Sequence, residues 1–160
     1  MFNIDEVFEI AEQIERNGAN FYTKAAEMFP EYSKKSIFLK LADMEKEHEK
    51  RFHAMRLEVA KKEREIAQFL DPSGEAAVYL QSIANSKVFD LRADPTIKFK
   101  DVRSVTELLR IAIDLEKDSI IFYLGIKESI PEGLGKDKID LIVKEEMGHV
   151  ELLTNLIESL

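Results

Sequence analysis

Apolar side chains recur along this chain at alternating steps of three and four residues in four long segments, near positions 4–29, 32–69, 104–130 and 136–159. That spacing puts one apolar stripe on each of four helices, and stripes of this kind bury one another around a shared axis. The pattern predicts an all-α, antiparallel four-helix bundle. Asn3 with Glu6, and Ser104 with Glu107, have the capping-box spacing that satisfies the first free amides of a helix. Pro30 and Pro131 fall just past the first and third helices, where a residue without an N–H ends a helix. Roughly 35 residues separate the second and third helices, including the Asp71-Pro72 and Asp94-Pro95 steps. We expect a short helix over 74–85 in this link, and an irregular connector from Ser86 to Arg103. A link this long can serve as a crossover that carries the chain back along the bundle.

The first helical pair repeats in the second at a constant offset of 101 positions. Phe8, Ala11, Glu15, Gly18, Tyr22, Ala25 and Phe29 recur as Leu109, Ala112, Glu116, Ser119, Tyr123, Ile126 and Ile130. Phe38, Leu41, Glu45, His48, Phe52, Met55 and Val59 recur as Ile139, Ile142, Glu146, His149, Leu153, Leu156 and Leu160. Ionisable groups interrupt these apolar stripes at matching places: Glu15, Glu45, His48, Glu116, Glu146 and His149.

A carboxylate buried without a partner costs several kcal/mol, and four facing one another also repel. No lysine or arginine lies on any of the stripes, so the compensating positive charge has to come from outside the chain. Two divalent cations would balance four carboxylates with both imidazoles neutral. Glu and His three residues apart share a helix face, with Cβ atoms about 5–6 Å apart, so both can reach ions on the bundle axis. Tyr22 and Tyr123 follow Glu15 and Glu116 by two turns. Each is either a hydrogen-bond donor to a ligand carboxylate of the opposite pair or a core aromatic satisfied elsewhere. Gly18 and Ser119, one turn past the same glutamates, either leave space beside the ions for a small oxidant or allow close helix packing. His53, whose repeat mate is Thr154, lies off the stripe and reads as a surface residue.

At 160 residues the chain fits one domain, 1–160, with a core that needs no disulfide. Charged residues reach 34%, against about 25% in a typical domain, as long solvated helix faces would require. The net charge of -8 repels phosphate backbones and anionic lipid, which argues against nucleic-acid and membrane partners. The absence of cysteine excludes thiolate zinc, iron–sulfur and thiol chemistry, leaving oxygen and nitrogen as the only strong ligands. The acidic start, MFNIDEVFEI, is unlike a signal peptide, and no run reaches the roughly 18 apolar residues of a span. A cytoplasmic location is therefore expected.

The combination Glu15…Tyr22, Glu45-Lys-Glu-His48, Glu116…Tyr123 and Glu146-Met-Gly-His149 resembles the rubrerythrin branch of the ferritin-like di-iron carboxylate proteins, across all four helices. This ligand pattern is itself typical of ferritin-like di-iron and di-manganese bundles. The resemblance implies a ferritin-like bundle with one long crossover and two iron ions, with manganese and zinc as alternatives. It further implies that Glu45 and Glu146 bridge the ions, Glu15 and His48 completing one and Glu116 and His149 the other. The chain departs from classical rubrerythrin in two ways: it has no cysteine for a rubredoxin-like iron site, and Ile113 stands where that branch carries an extra glutamate. The implied activity is reduction of hydrogen peroxide or oxygen by a homodimer fed by an external electron donor. Iron storage with ferroxidase activity, hydroxylation of an organic substrate, and a purely structural bundle with zinc or manganese in the site are the alternatives.

Overall fold

The four periodic segments form α1 (Ile4–Met28), α2 (Tyr32–Lys61), α3 (Val105–Ser129) and α4 (Lys136–Ser159). The computed structural model describes residues 4–62, 102–130 and 132–160. Asn3, Pro131, the proposed short helix over 74–85 and both Asp-Pro steps lie outside the described residues. Three helices start and stop within a residue of expectation. The exception is α2, which was expected to run to 69 but stops at Lys61, where Lys62 turns its N–H onto the carbonyl of Val59 at 2.9 Å. Val59 is also the last buried apolar residue of α2, and the sequence from Lys61 to Glu65 is charged throughout.

The start of α3 bears out its cap. Oγ of Ser104 accepts the N–H of Glu107 at 3.2 Å, and the Glu107 carboxylate accepts the N–H of Arg103 at 2.9 Å. Between α3 and α4, Gly133 and Gly135 take φ of 82° and 105°, values in which a side chain would be strained.

Contacts between helices set their directions. Arg56 reaches Asp5 at 2.6 Å and Arg16 reaches Glu49 at 2.7 Å, so α1 and α2 run antiparallel. Lys127 on Asp140 at 2.7 Å does the same for α3 and α4. Arg51 on Glu145 and Lys138 on Glu58, at 3.0 and 3.4 Å, orient α2 against α4. Hydrogen bonds from Tyr22 to Glu116 and from Tyr123 to Glu15 orient α1 against α3. The ring order is therefore α1, α2, α4, α3, with α2 and α3 pointing the same way. The end of α2 and the start of α3 lie at opposite ends of the bundle, as a crossover requires.

The stripes meet in one core, sealed by aromatic rings on both sides of its midpoint. Phe38 stacks on Tyr22 at 6.4 Å and tilts against Phe29 at 6.2 Å; toward the other end, Phe52 packs on Tyr123 at 4.8 Å and on Phe8 at 6.3 Å. The stripes loosen at their ends, where Phe29 and Leu156 are half-buried and Leu160 is 60% exposed. A terminal turn has too few neighbours to enclose an aliphatic side chain. No helix among the described residues is long and apolar enough to cross a membrane.

Candidate metal centre

Each helix carries its polar interruption into the same central layer. Glu15 comes from α1, Glu45 and His48 from α2, Glu116 from α3, and Glu146 and His149 from α4, none more than 2% exposed. The three-residue spacing of Glu and His on α2 and α4 puts both side chains of each pair on the inward face. No lysine or arginine is buried among the described residues. The other buried polar residues have local explanations: Glu12 lies 3.2 Å from His53 and 3.7 Å from Arg56, Asn17 accepts from Gln13 at 2.7 Å, and Oγ of Ser119 donates to the Leu115 carbonyl at 2.9 Å.

The inward atoms form a figure with a twofold relation. Nδ1 of His48 lies 2.9 Å from Glu146 and 3.3 Å from Glu15; Nδ1 of His149 lies 3.0 Å from Glu45 and 3.3 Å from Glu116. Each contact in the first set maps onto one in the second under the 101-residue repeat. The tyrosine contacts obey the same rule, since Tyr22 donates to Glu116 and Tyr123 to Glu15. Both phenols thus hydrogen-bond a carboxylate of the opposite helical pair, which settles the alternative left open for them by sequence.

Two groups of ligand-capable atoms each converge within 4.8 Å: Glu15, Glu45, His48 and Glu146 in one, and Glu45, Glu116, Glu146 and His149 in the other. Glu45 and Glu146 belong to both. Six buried atoms here have no hydrogen-bond partner among the described residues: Oε2 of Glu15, Glu116 and Glu146, Oε1 of Glu45, and both ring nitrogens of His149. Nδ1 of His149 is only 2.8 Å from Oε2 of Glu146, yet neither atom is satisfied. Buried polar atoms in native proteins are almost always paired, so close approach without hydrogen-bond geometry needs a further partner. A hard cation bound by oxygen and imidazole nitrogen meets that need, and the residues fit a pair of such ions.

Electrostatics point the same way. Burial first, then repulsion from neighbouring carboxylates, drives Glu45 (beside Glu146, Glu15 and Glu116) and Glu146 (beside Glu15 and Glu116) well above the usual carboxylate range. Burial pushes Glu15 upward, but His48 beside it, together with hydrogen bonds from Glu45 and Tyr123, outweighs that effect and holds the carboxyl below its ordinary value. Burial alone would lower both histidines; surrounding carboxylates instead raise His48 to about 8 and His149 further still. Burial and the adjacent glutamates raise both tyrosines well above 10.0, which keeps the phenols protonated as donors. Without a cation, protons have to neutralise the cluster.

Gly18 has a more specific role than either sequence alternative. A Cβ there would lie 2.8 Å from Oε2 of Glu45, so the missing side chain makes room for a carboxylate of the cluster itself. His53 is exposed, as expected. Ile113 is partly buried against the core. Glu145 and Arg51 were not legible as site residues. Glu145 makes a short contact to Nε2 of His48 and accepts from Arg51 at 3.0 and 3.1 Å. A break in the repeat was the available signal, because Met44 and Leu152 stand at the corresponding positions.

No protein-family model matches the chain, and no curated protein matches it. Among solved structures, it is similar to a Thermotoga maritima protein described as a candidate ferritin-like diiron-carboxylate protein. The two superpose with a TM-score of 0.66 at 22% sequence identity, over 98% of this chain and 95% of that one. At that identity the likeness establishes the fold, which is a ferritin-like four-helix bundle.

Proposed function

We propose that the chain is a di-iron carboxylate oxidoreductase that reduces hydrogen peroxide or oxygen with electrons from an external donor, its central glutamates and histidines holding the metal pair on the bundle axis. Glu45 and Glu146, which belong to both groups, would be shared by the two ions, Glu15 and His48 would complete one position, and Glu116 and His149 would complete the other. The supporting observation is that both groups of converging atoms share the same two glutamates while six of their buried atoms lack protein partners. The metal pair supplies the electron-transfer chemistry that none of the side chains here can supply alone. Tyr22 and Tyr123 hold the terminal carboxylates Glu116 and Glu15 in place through their hydroxyl protons. The layers of Phe38 with Tyr22, and of Phe52 with Tyr123, exclude bulk water from both ends of the centre.

The test is anaerobic loading with ferrous iron, counting ions per chain, followed by separate additions of peroxide and oxygen. Two ions per chain and faster turnover with peroxide support a peroxidase. Two ions with indifference to both oxidants remove the redox assignment, and failure to bind iron, manganese and zinc removes the centre itself.

A further inference from the structure

The two histidines keep matching distances to carboxylates of the other helices and differ most on their outer edges. Nδ1 of His149 also lies 2.8 Å from Glu146 on its own helix, a contact not seen between His48 and Glu45. Nε2 of His48 faces the Glu145 carboxylate, which reaches across from α4 and is gripped through both oxygens by Nη1 of Arg51, one turn beyond His48 on α2. Nε2 of His149 is buried and has no hydrogen-bond partner among the described residues. Under the repeat that relates the two halves, the place of Glu145 falls to Met44 and that of Arg51 to Leu152. A thioether accepts hydrogen bonds only weakly and an isobutyl group neither accepts nor donates, so this second arrangement cannot be rebuilt around His149.

An imidazole whose outer N–H is held by a carboxylate has its tautomer and ring plane set in advance. Its other nitrogen is also more basic toward a cation. A ring with no outer partner has to be ordered when the ion arrives. We propose that Glu145, oriented by Arg51, is a positioning residue for His48, and that it makes the two metal positions inequivalent. The position completed by His48 fills first and holds its ion, while the position completed by His149 fills second and exchanges. The inference rests on the dinuclear reading above and adds to it an order of filling that the inner ligands, being of the same types at both positions, do not prescribe.

Cobalt(II) is a suitable probe, because each ligating imidazole then gives its own shifted ring N–H resonance. The full chain, stripped of metal, is titrated anaerobically with cobalt(II) against a competing chelator. The expected result is two steps about 10–100-fold apart in affinity, the usual effect of such outer partners. The resonance that appears in the first step should exchange slowly with deuterated solvent, and the one in the second step quickly. Glu145→Ala should bring the first step down to the second and abolish the slow exchange, whereas Glu145→Gln, which keeps an accepting oxygen, should retain most of both. Met44→Glu should tighten the second step alone. Two equal steps in the unaltered chain, or a first step unmoved by Glu145→Ala, would overturn the inference while leaving a dinuclear centre intact. A chain that takes up no cobalt overturns both.

Discussion

The inward and outward faces of the central layer follow different rules. On the inward face, the distances from His48 to Glu146 and Glu15 and from His149 to Glu45 and Glu116 agree within 0.1 Å. On the outward face nothing repeats, since Glu145 and Arg51 serve His48 where Met44 and Leu152 occupy the matching places. Even the small residues diverge, because Gly18 yields its volume to Glu45 while Ser119 turns its hydroxyl back onto its own helix. Two requirements account for the contrast. Four carboxylates in a sealed core tolerate few arrangements, whereas groups nearer solvent can change at small cost.

The matched face breaks most severely at a shared carboxylate. Glu45→Ala should reduce bound metal from two ions per chain to none, while Glu15→Ala should leave one, as counted by elemental analysis after loading. The stabilisation that metal confers, about 4 kcal/mol per site at a thousandfold excess over Kd, should vanish with Glu45 and be halved with Glu15. Equal losses in the two variants would mean that Glu45 is not shared.

A smaller effect separates the two small residues. Gly18→Ala should cost about 1–3 kcal/mol of stability through overpacking against Glu45, measured by urea unfolding of the loaded protein. Ser119→Ala removes only a hydroxyl bonded to its own helix and should stay within about 0.5 kcal/mol. Similar effects at both positions would erase the distinction.

A further effect concerns pH and the metal-free chain. Glu45 and Glu146 keep protons in the fold that they lose when unfolded, so their contribution diminishes as pH rises above 4.5. His48, raised from 6.5 to about 8, stabilises fully below pH 6.5 and ceases to do so as pH passes 8. All three act in one direction, and His48 alone corresponds to about 2 kcal/mol. Glu15, shifted downward, acts below pH 4.5 and does not offset them. The melting temperature of the metal-free chain should therefore fall by several degrees between pH 6 and 9, while the loaded chain should hold or gain. Parallel curves for the two forms would contradict the charge balance.

The inner face could be read in the sequence because burial converts periodicity into position. Glu15, Glu45, His48, Glu116, Glu146 and His149 stand on stripes that are otherwise apolar, and the structure brings all six together. Helix ends were readable where a cap or a proline marks them, as at Ser104, and not at Lys61, where a charged run continues beyond the last apolar contact. Glu145 was hidden for a different reason. In a chain with 34% charged residues, one more glutamate beside a ligand looks like solvated surface, and only the facing helix reveals what it touches. Gly18 was visible as small, but the atom needing its space belongs to another helix.

Because α2 and α3 run in the same direction, the molecule consists of two local hairpins joined by one distant closure. The α1–α2 hairpin needs only the short turn around Pro30, so it can form within microseconds to milliseconds, whereas docking onto α3–α4 must await a far longer chain closure. The first hairpin contains three of the four groups around the His48 position but lacks Glu146, and the second likewise lacks Glu45. On the dinuclear reading proposed above, neither hairpin would complete a metal position alone, so capture of the full pair would have to wait until the two halves had met in register.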